Sequence, residues 1–362
     1  MRFKNILQIF GALAVLLTII PFIAADYWWI RIFDFPHTQL TILTATAILA
    51  YLMKFDIRWF KDYVFMTVMI ACFIFQLAKI YPYTPLSEFE VLANEQTDTE
   101  VQLSVLVSNV LQKNKEHQPL LQEVESKNPD IVLLLEAGTE WHDAVDSKLS
   151  KKYKYYKGAP LNNTYGMLLY SKIPLINPEV HYIIDDSIPS IDAKLKLKSG
   201  DTIQLFAIHP TPPMPQHNPM STDRDAEMMK TAFKSRDSKL PVVVIGDFND
   251  VAWSESTALF KEVSELLDLR IGRGLFNTFS AKSHIMRWPL DHIFVSEHFR
   301  VIDIKRGADV NSDHFPSYAK LSLEPDGKSE QMPKSPTKNQ LDRALDIIKK
   351  EAKQKDTRKE SN

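Results

Sequence analysis

The sequence predicts an α/β protein in which a two-sheet sandwich covered by helices follows three membrane-spanning helices. Three observations carry this expectation. Three long uncharged runs fall within the first 85 residues. From residue 101 to 324, short apolar and β-branched runs outnumber segments of helical period. Most of those runs end in polar residues able to do chemistry.

The membrane segments come first in the chain. Ile6 to Ala25 is a run of 20 uncharged residues broken only by Pro21, Phe35 to Met53 a run of 19, and Tyr63 to Ala78 a run of 16 that Lys79 extends by snorkelling. A hydrocarbon core about 30 Å thick needs about 20 apolar residues to cross. A cleaved signal peptide and buried core helices are the competing readings. Tyr27, Trp28, Trp29, Trp59, Tyr81 and Tyr83 near the run ends fit aromatic belts and favour three spans. Arg2 and Lys4 precede the first run, and Lys54, Arg58 and Lys61 separate the second from the third. The positive-inside rule then places the N-terminus and that loop in the cytoplasm, and everything after Pro85 on the extracytoplasmic side of a multi-pass inner membrane protein. The only cysteine, Cys72, excludes internal disulfides and multi-cysteine metal sites.

Four regions follow from this partition: a membrane anchor over residues 1–85, a polar tether over 86–100, a globular domain over 101–324, and a charged tail over 325–362. The whole chain of 362 residues carries a net charge of -2. The part from 98 to 324, with 26 basic and 31 acidic residues, carries -5. An acidic domain disfavours a nonspecific nucleic-acid binder, whose affinity rests on phosphate neutralisation. The tail is expected to be disordered; Leu341, Leu345 and Ile348 on an amphipathic helix over 340–353 are the alternative.

Within the domain, strands are expected at 101–107, 131–135, 167–170, 181–184, 191–197, 203–208, 242–245, 292–295, 301–304 and 318–323. The runs 131–135 and 242–245 are wholly apolar, as strands covered on both faces must be. Helices are expected at 117–127, 140–149, 223–233 and 255–266, with Ser221 or Thr222 capping the third and Ser254 the fourth. Polar residues stand just beyond the strand ends: Asn109, Glu136, His209, Gly246-Asp247-Phe248-Asn249, Asp291 and Ser312-Asp313-His314. Strand-end polar residues commonly converge on one cleft. Singly, each is more often a turn, a cap or a satisfied histidine; their order and spacing carry the signal.

That series resembles the endonuclease/exonuclease/phosphatase superfamily, the DNase-I-like fold, over residues 101–323, including the segment GMLLYSKIPL from Gly166 to Leu175. The resemblance implies a four-layer α/β/β/α sandwich and a phosphoesterase dependent on a divalent metal, magnesium or manganese. It implies Glu136 as the main metal ligand, with Asn109 and Asp313 close by. His314 matches the catalytic histidine, Asp291 the carboxylate that orients it, and Asp247 a second candidate base. Asn249 and His209 are expected to donate to phosphate oxygens, and Asn109 to take part in the same centre. Tyr165 is taken for a phosphate-contacting tyrosine and Arg224 for a contact to a second phosphate. The three-span anchor is similar to that of bacterial membrane members.

Two departures bear on substrate. Leu135 precedes Glu136 where nuclease members carry glutamine, and a proline-rich segment from Pro210 to Pro219 replaces basic duplex-gripping loops. A membrane-confined site favours lipid-linked phosphate esters. A secreted-side nuclease is the alternative enzyme, and a non-catalytic membrane scaffold on the same fold is the alternative of another class. No protein partner is implied.

Overall fold

A computed structural model describes residues 3–23, 26–215 and 218–360, with side chains to residue 358. The N-terminal part is a bundle of α1 (Phe3–Ile19), α3 (His37–Leu52) and α4 (Phe60–Ile80), with a single turn, α2 (Trp28–Arg31), between the first two. Among the described residues, two helical stretches, Phe3–Phe22 and Phe60–Tyr83, are long and apolar enough to cross a membrane by length and composition. The second expected span falls short of that measure. α3 has 16 residues, about 24 Å at the helical rise of 1.5 Å per residue. It is packed between the other two through Leu40, Thr44, Ala47 and Tyr51. Lys4 pairs with Asp62 across the bundle, so the start of α1 and the start of α4 share one end.

The domain is built on two mixed six-stranded sheets. In chain order the strands are β1 (Gln102–Asn109), β2 (Ile131–Leu135), β3 (Tyr155–Ala159), β4 (Met167–Ser171), β5 (Leu175–His181), β6 (Ser190–Lys196), β7 (Thr202–Ile208), β8 (Val242–Asp247), β9 (Leu267–Asp268), β10 (Asp291–Val295), β11 (Phe299–Arg306) and β12 (Ser317–Leu323). One sheet has the order β11-β12-β1-β2-β4-β3 and the other β5-β6-β7-β8-β10-β9. The apolar runs are continuous because both faces of each sheet are covered. On β2, Ile131, Leu133 and Leu135 point into the core between the sheets, whereas Val132 and Leu134 pack on helices outside. The outer helices are α5 (His117–Lys127) and α6 (Thr139–Leu149) on the first sheet. The second sheet carries α7 (Thr222–Asp237), α8 (Glu255–Ser264) and α9 (Lys338–Glu360). Ser254 caps α8, accepting from the Thr257 amide at 2.9 Å. Ser221 stands at the start of α7 but its hydroxyl donates to Asp225 instead, at 2.7 Å.

Several expectations change. The strand expected at 181–184 lies earlier, at Leu175–His181, where Pro178 is tolerated on an edge strand with a register shift between Ile176 and Glu179. β3 and the two-residue β9 had no sequence signal. The tail is not disordered: α9 buries Ala344 and packs Leu341, Ile347 and Ile348 against α7 and α8. It is held by pairs between Glu351 and Lys230, Arg343 and Glu255, and Arg358 and Asp223. The tether is laid against the domain as well. Val91 is buried, Ala93 bridges to Val301, and Glu324 accepts from the amides of Glu95 and Gln96.

Candidate active site

Parallel pairing of β1 with β2 and of β7 with β8 brings their C-terminal ends to one edge of the sandwich. Asn109 closes β1, Glu136 follows β2, His209 follows β7 and Asp247 closes β8. Asp291 opens β10 directly opposite Asp247 in register. His314 arrives on the turn before β12.

Hydrogen bonds and close ionic contacts link these side chains. The Asn109 amide donates to Glu136 Oε1 at 2.9 Å and to Asp247 Oδ2 at 3.0 Å. His314 Nδ1 bonds Asp291 Oδ2 at 2.8 Å, and its Nε2 lies 3.5 Å from Asp247 Oδ2. His209 Nε2 lies 3.9 Å from that same Asp247 oxygen. Ser312 ties the turn to β1: its hydroxyl donates to the Asn109 carbonyl at 2.7 Å and accepts from the His314 amide at 3.1 Å. The sequence displayed Ser312 but gave it no role.

Local backbone geometry sets the aim of these groups. Glu136 and Asn249 take left-handed conformations, with φ of 56° and 50°. Gly246 has φ of 153°, and a Cβ there would stand 1.9 Å from the Ile208 carbonyl oxygen. Only glycine lets β8 lie this close to β7 just before Asp247.

Burial raises the Glu136 carboxyl, the Asn109 hydrogen bond opposes it, and the charges of Asp247 and Asp313 raise it further. The same interaction places the Asp313 carboxylate within electrostatic reach of Glu136. Burial also raises the Asp247 carboxyl, against the pull of both histidines. On His314, burial works downward, but Asp247 and Asp291 outweigh it and lift the imidazole to about 10. His209 is pushed down by burial and stays neutral. The pocket therefore holds several carboxylates around one imidazolium, an arrangement suited to a further positive charge. Asp247, Asp291 and His314 each offer a ligand atom within 4.8 Å of one another. Both His314 nitrogens already face carboxylates, so this trio reads better as a proton-holding relay, with Glu136, Asn109 and Asp313 on the flank.

The remaining expected residues divide. Tyr165 is buried with its ring 5.5 Å from that of His209, beside the network. One amide proton of Asn249 is committed to the Pro210 carbonyl at 3.0 Å, and its backbone N–H donates to Asp247 Oδ1 at 2.9 Å. Arg224 does not reach the site. Its guanidinium is buried under the loop after β8, bonding Asp225 at 2.9 Å and the Asn249 carbonyl at 3.0 Å, and lying 3.3 Å from Asp250. Buried and paired in this way, it is placed to hold the Asn249–Asp250 loop from behind rather than to make the expected contact to a second phosphate.

Comparison with known proteins bears on the family and the fold. Residues 105–314 match the family model described as "Endonuclease/Exonuclease/phosphatase family". Among solved structures, the chain is similar to D. rerio TDP2 complexed with a single-strand DNA product. The identity is 14%, the TM-score 0.52, and coverage 62% of this chain and 100% of that one. An endonuclease/exonuclease/phosphatase from Beutenbergia cavernae matches at 15% identity and TM-score 0.51, over 62% of this chain and 72% of that one. A functionally unknown conserved protein from Enterococcus faecalis matches at 15% identity and TM-score 0.51, over 61% and 100%. At such identities the likeness concerns the fold. No curated protein sequence matches the chain.

Proposed function

The chain belongs to the endonuclease/exonuclease/phosphatase family, and from this premise we propose that it is a membrane-anchored, divalent-metal-dependent phosphoesterase with an extracytoplasmic active site. The observation that carries the reading is the buried Asp291–His314–Asp247 relay joined through Asn109 to Glu136.

Family members are typically metal-dependent phosphoester hydrolases, and the donor set fits such a cofactor. Hard carboxylate oxygens cluster together, and Asp291 Oδ1 is buried with no partner among the described residues. Glu136, with Asn109 and Asp313, would hold magnesium or manganese; the ion, when bound, supplies charge neutralisation at the phosphoryl oxygens. The rest falls to the side chains. Asp291 fixes the His314 ring and sustains its positive charge. His314 presents Nε2 toward Asp247, so a proton can pass between them and a water held there. Neutral His209 and the second amide proton of Asn249 offer donors for nonbridging phosphate oxygens, with Tyr165 bracing the His209 ring.

The membrane arrangement has geometric support. The segment between α1 and α3 packs on the domain: Trp28 donates to the Pro219 carbonyl at 2.8 Å, and Trp253 Nε1 to that of Asp34 at 2.7 Å. Tyr83, after α4, also touches it, donating to the Ala252 carbonyl at 2.7 Å. Both segments lie on the domain side, with Arg31 and Lys79, while Lys4, Lys54, Arg58 and Lys61 belong to the other end, which is in keeping with three crossings. Confinement at the bilayer favours a lipid-linked phosphate ester as substrate.

The test is magnesium-dependent hydrolysis by the full chain in detergent, followed by the product appropriate to each substrate: phosphate from polyprenyl pyrophosphate, the freed headgroup or phospho-headgroup from phospholipids and sphingomyelin, and nicked circles from plasmid DNA. Glu136→Ala and His314→Ala should each remove most turnover. Full activity in either variant, or no turnover on any phosphoester, overturns the proposal; nicking of DNA alone makes the protein a nuclease.

A further inference from the structure

We propose that Arg287 and Arg306 form a second anion-binding subsite beside His314, taking a second phosphate-type group that the substrate itself bears or a neighbouring lipid headgroup presents. The proposal rests on the phosphoesterase reading of the adjacent site and refines its substrate class to esters carrying more than one anionic group.

The wall of the site next to His314 is a hairpin-like loop over residues 277–288. Phe279 bridges to both Trp288 and His314, and its ring lies 4.9 Å from the His314 ring. The Ala281 amide donates to the Asp313 carbonyl at 2.7 Å, and the Phe315 amide to that of Thr278 at 2.9 Å. Arg287 at the end of this loop and Arg306 at the end of β11 both lie over the ring of Phe315, the residue after His314. Their guanidinium carbons are 4.9 and 4.4 Å from its centroid. Stacking on an aromatic ring orients a guanidinium and leaves its edge N–H groups free to bond.

Neither arginine makes an ion pair among the described residues. Arg287 reaches only the carbonyls of Ser280 and Ala281, at 3.3 and 3.4 Å, and Arg306 that of Asn277 at 3.2 Å. Several guanidiniums elsewhere are neutralised, although Arg273, stacked on Phe89, likewise bonds only carbonyls among the described residues. Arg224 pairs with Asp225, Arg270 with Asp268 and Arg300 with Glu330. No acidic residue occurs between Phe276 and Leu290. Arg287 and Arg306 are close enough for their charges to oppose each other. Two unneutralised guanidiniums held on one ring match the planar, bidentate geometry that phosphate accepts. The same loop exposes Ile285 and Met286, 73% and 50% accessible, and Gln39 at the start of α3 donates to the Ile285 carbonyl at 2.6 Å. The subsite thus opens on the rim nearest the anchor.

The full chain in detergent, with EDTA present, is titrated with inorganic pyrophosphate by calorimetry. The Arg287→Gln/Arg306→Gln double variant should bind about tenfold or more weakly, as loss of charge-assisted bonds implies. The exposed Arg306→Gln change alone should show part of this loss and covers the case in which the double variant unfolds. Magnesium binding and thermal unfolding should stay unchanged in the single variant. Wild type that does not bind pyrophosphate, or variants within about threefold of it, overturn the subsite. Magnesium-dependent phosphate release by the wild type, measured in parallel, reports separately on the phosphoesterase reading. Repeating the titration in phosphatidylglycerol and phosphatidylcholine nanodiscs distinguishes the sources. Weaker pyrophosphate binding in phosphatidylglycerol assigns the subsite to a headgroup; equal binding assigns it to the substrate's own second group.

Discussion

Replacing Asp291 by Asn keeps the shape of the side chain opposite His314 and removes its charge. The 2.8 Å bond to Nδ1 is buried, so solvent does little to screen the loss. His314 is lifted from 6.5 to about 10 in the intact site, against the opposing effect of burial. That difference corresponds to roughly 5 kcal/mol at most, and it is shared with Asp247 and Asp313. Without Asp291 the imidazole should titrate closer to its ordinary range. Turnover should fall on the order of a hundredfold or more, as loss of a working acid–base group does. The sign of the stability effect follows. A histidine with a raised folded pKa stabilises fully below pH 6.5 and loses that contribution as pH rises through about 10. The variant should therefore lose stability at neutral pH and show a flatter decline between those limits. NMR titration of the His314 ring in the metal-free protein reads the first quantity, and phosphate release with magnesium the second. An unchanged titration together with turnover within about threefold of wild type would show that Asp291 does not sustain the charge.

Gly246→Ala should destabilise the domain by about 3 kcal/mol or more, because the new Cβ meets the Ile208 carbonyl oxygen at 1.9 Å; thermal unfolding measures it, and an unchanged midpoint would refute the close approach. Glu227 is fully buried on α7, with Oε1 unpartnered, and burial lifts its carboxyl to about 8 despite Lys230 and Lys234. The folded state then holds a proton that the unfolded state releases near 4.5, so stability should fall as pH rises from 4.5 to about 8 and level off above. Glu227→Gln should flatten that slope in denaturant titrations at several pH values, and a persistent slope would clear this residue. Arg224→Met should cost about 3–5 kcal/mol by stranding Asp225 and Asp250 as buried charges, seen as a lowered denaturation midpoint; an effect on turnover with stability intact would contradict the assignment of Arg224 to support.

The pattern along the chain was enough for most of the central strands and for the polar residues that stand at their ends. Strands buried on both faces must be written as uninterrupted apolar runs, so 131–135 and 242–245 were legible, and the residues that follow them stood out as polar. Edge elements were not: β3 is Tyr155-Tyr156-Lys157-Gly158-Ala159, and β5 contains Pro178, because an edge strand owes the core little. Which of these groups meet is set by the fold. Asp291 finds Asp247 through the register of β10 on β8, and His314 finds both through a turn that Ser312 pins to β1. Arg224 read in the chain as a contact to a second phosphate, since its burial depends on carboxylates that arrive from α7 itself and from the loop after β8. The tail's helical period was visible, but its docking face runs through Leu341, Ala344 and Ile348 and leaves Leu345 exposed. That choice needed the surface of α7 and α8. Local pattern encodes which faces are apolar; the pairing of charges belongs to distances that only folding creates.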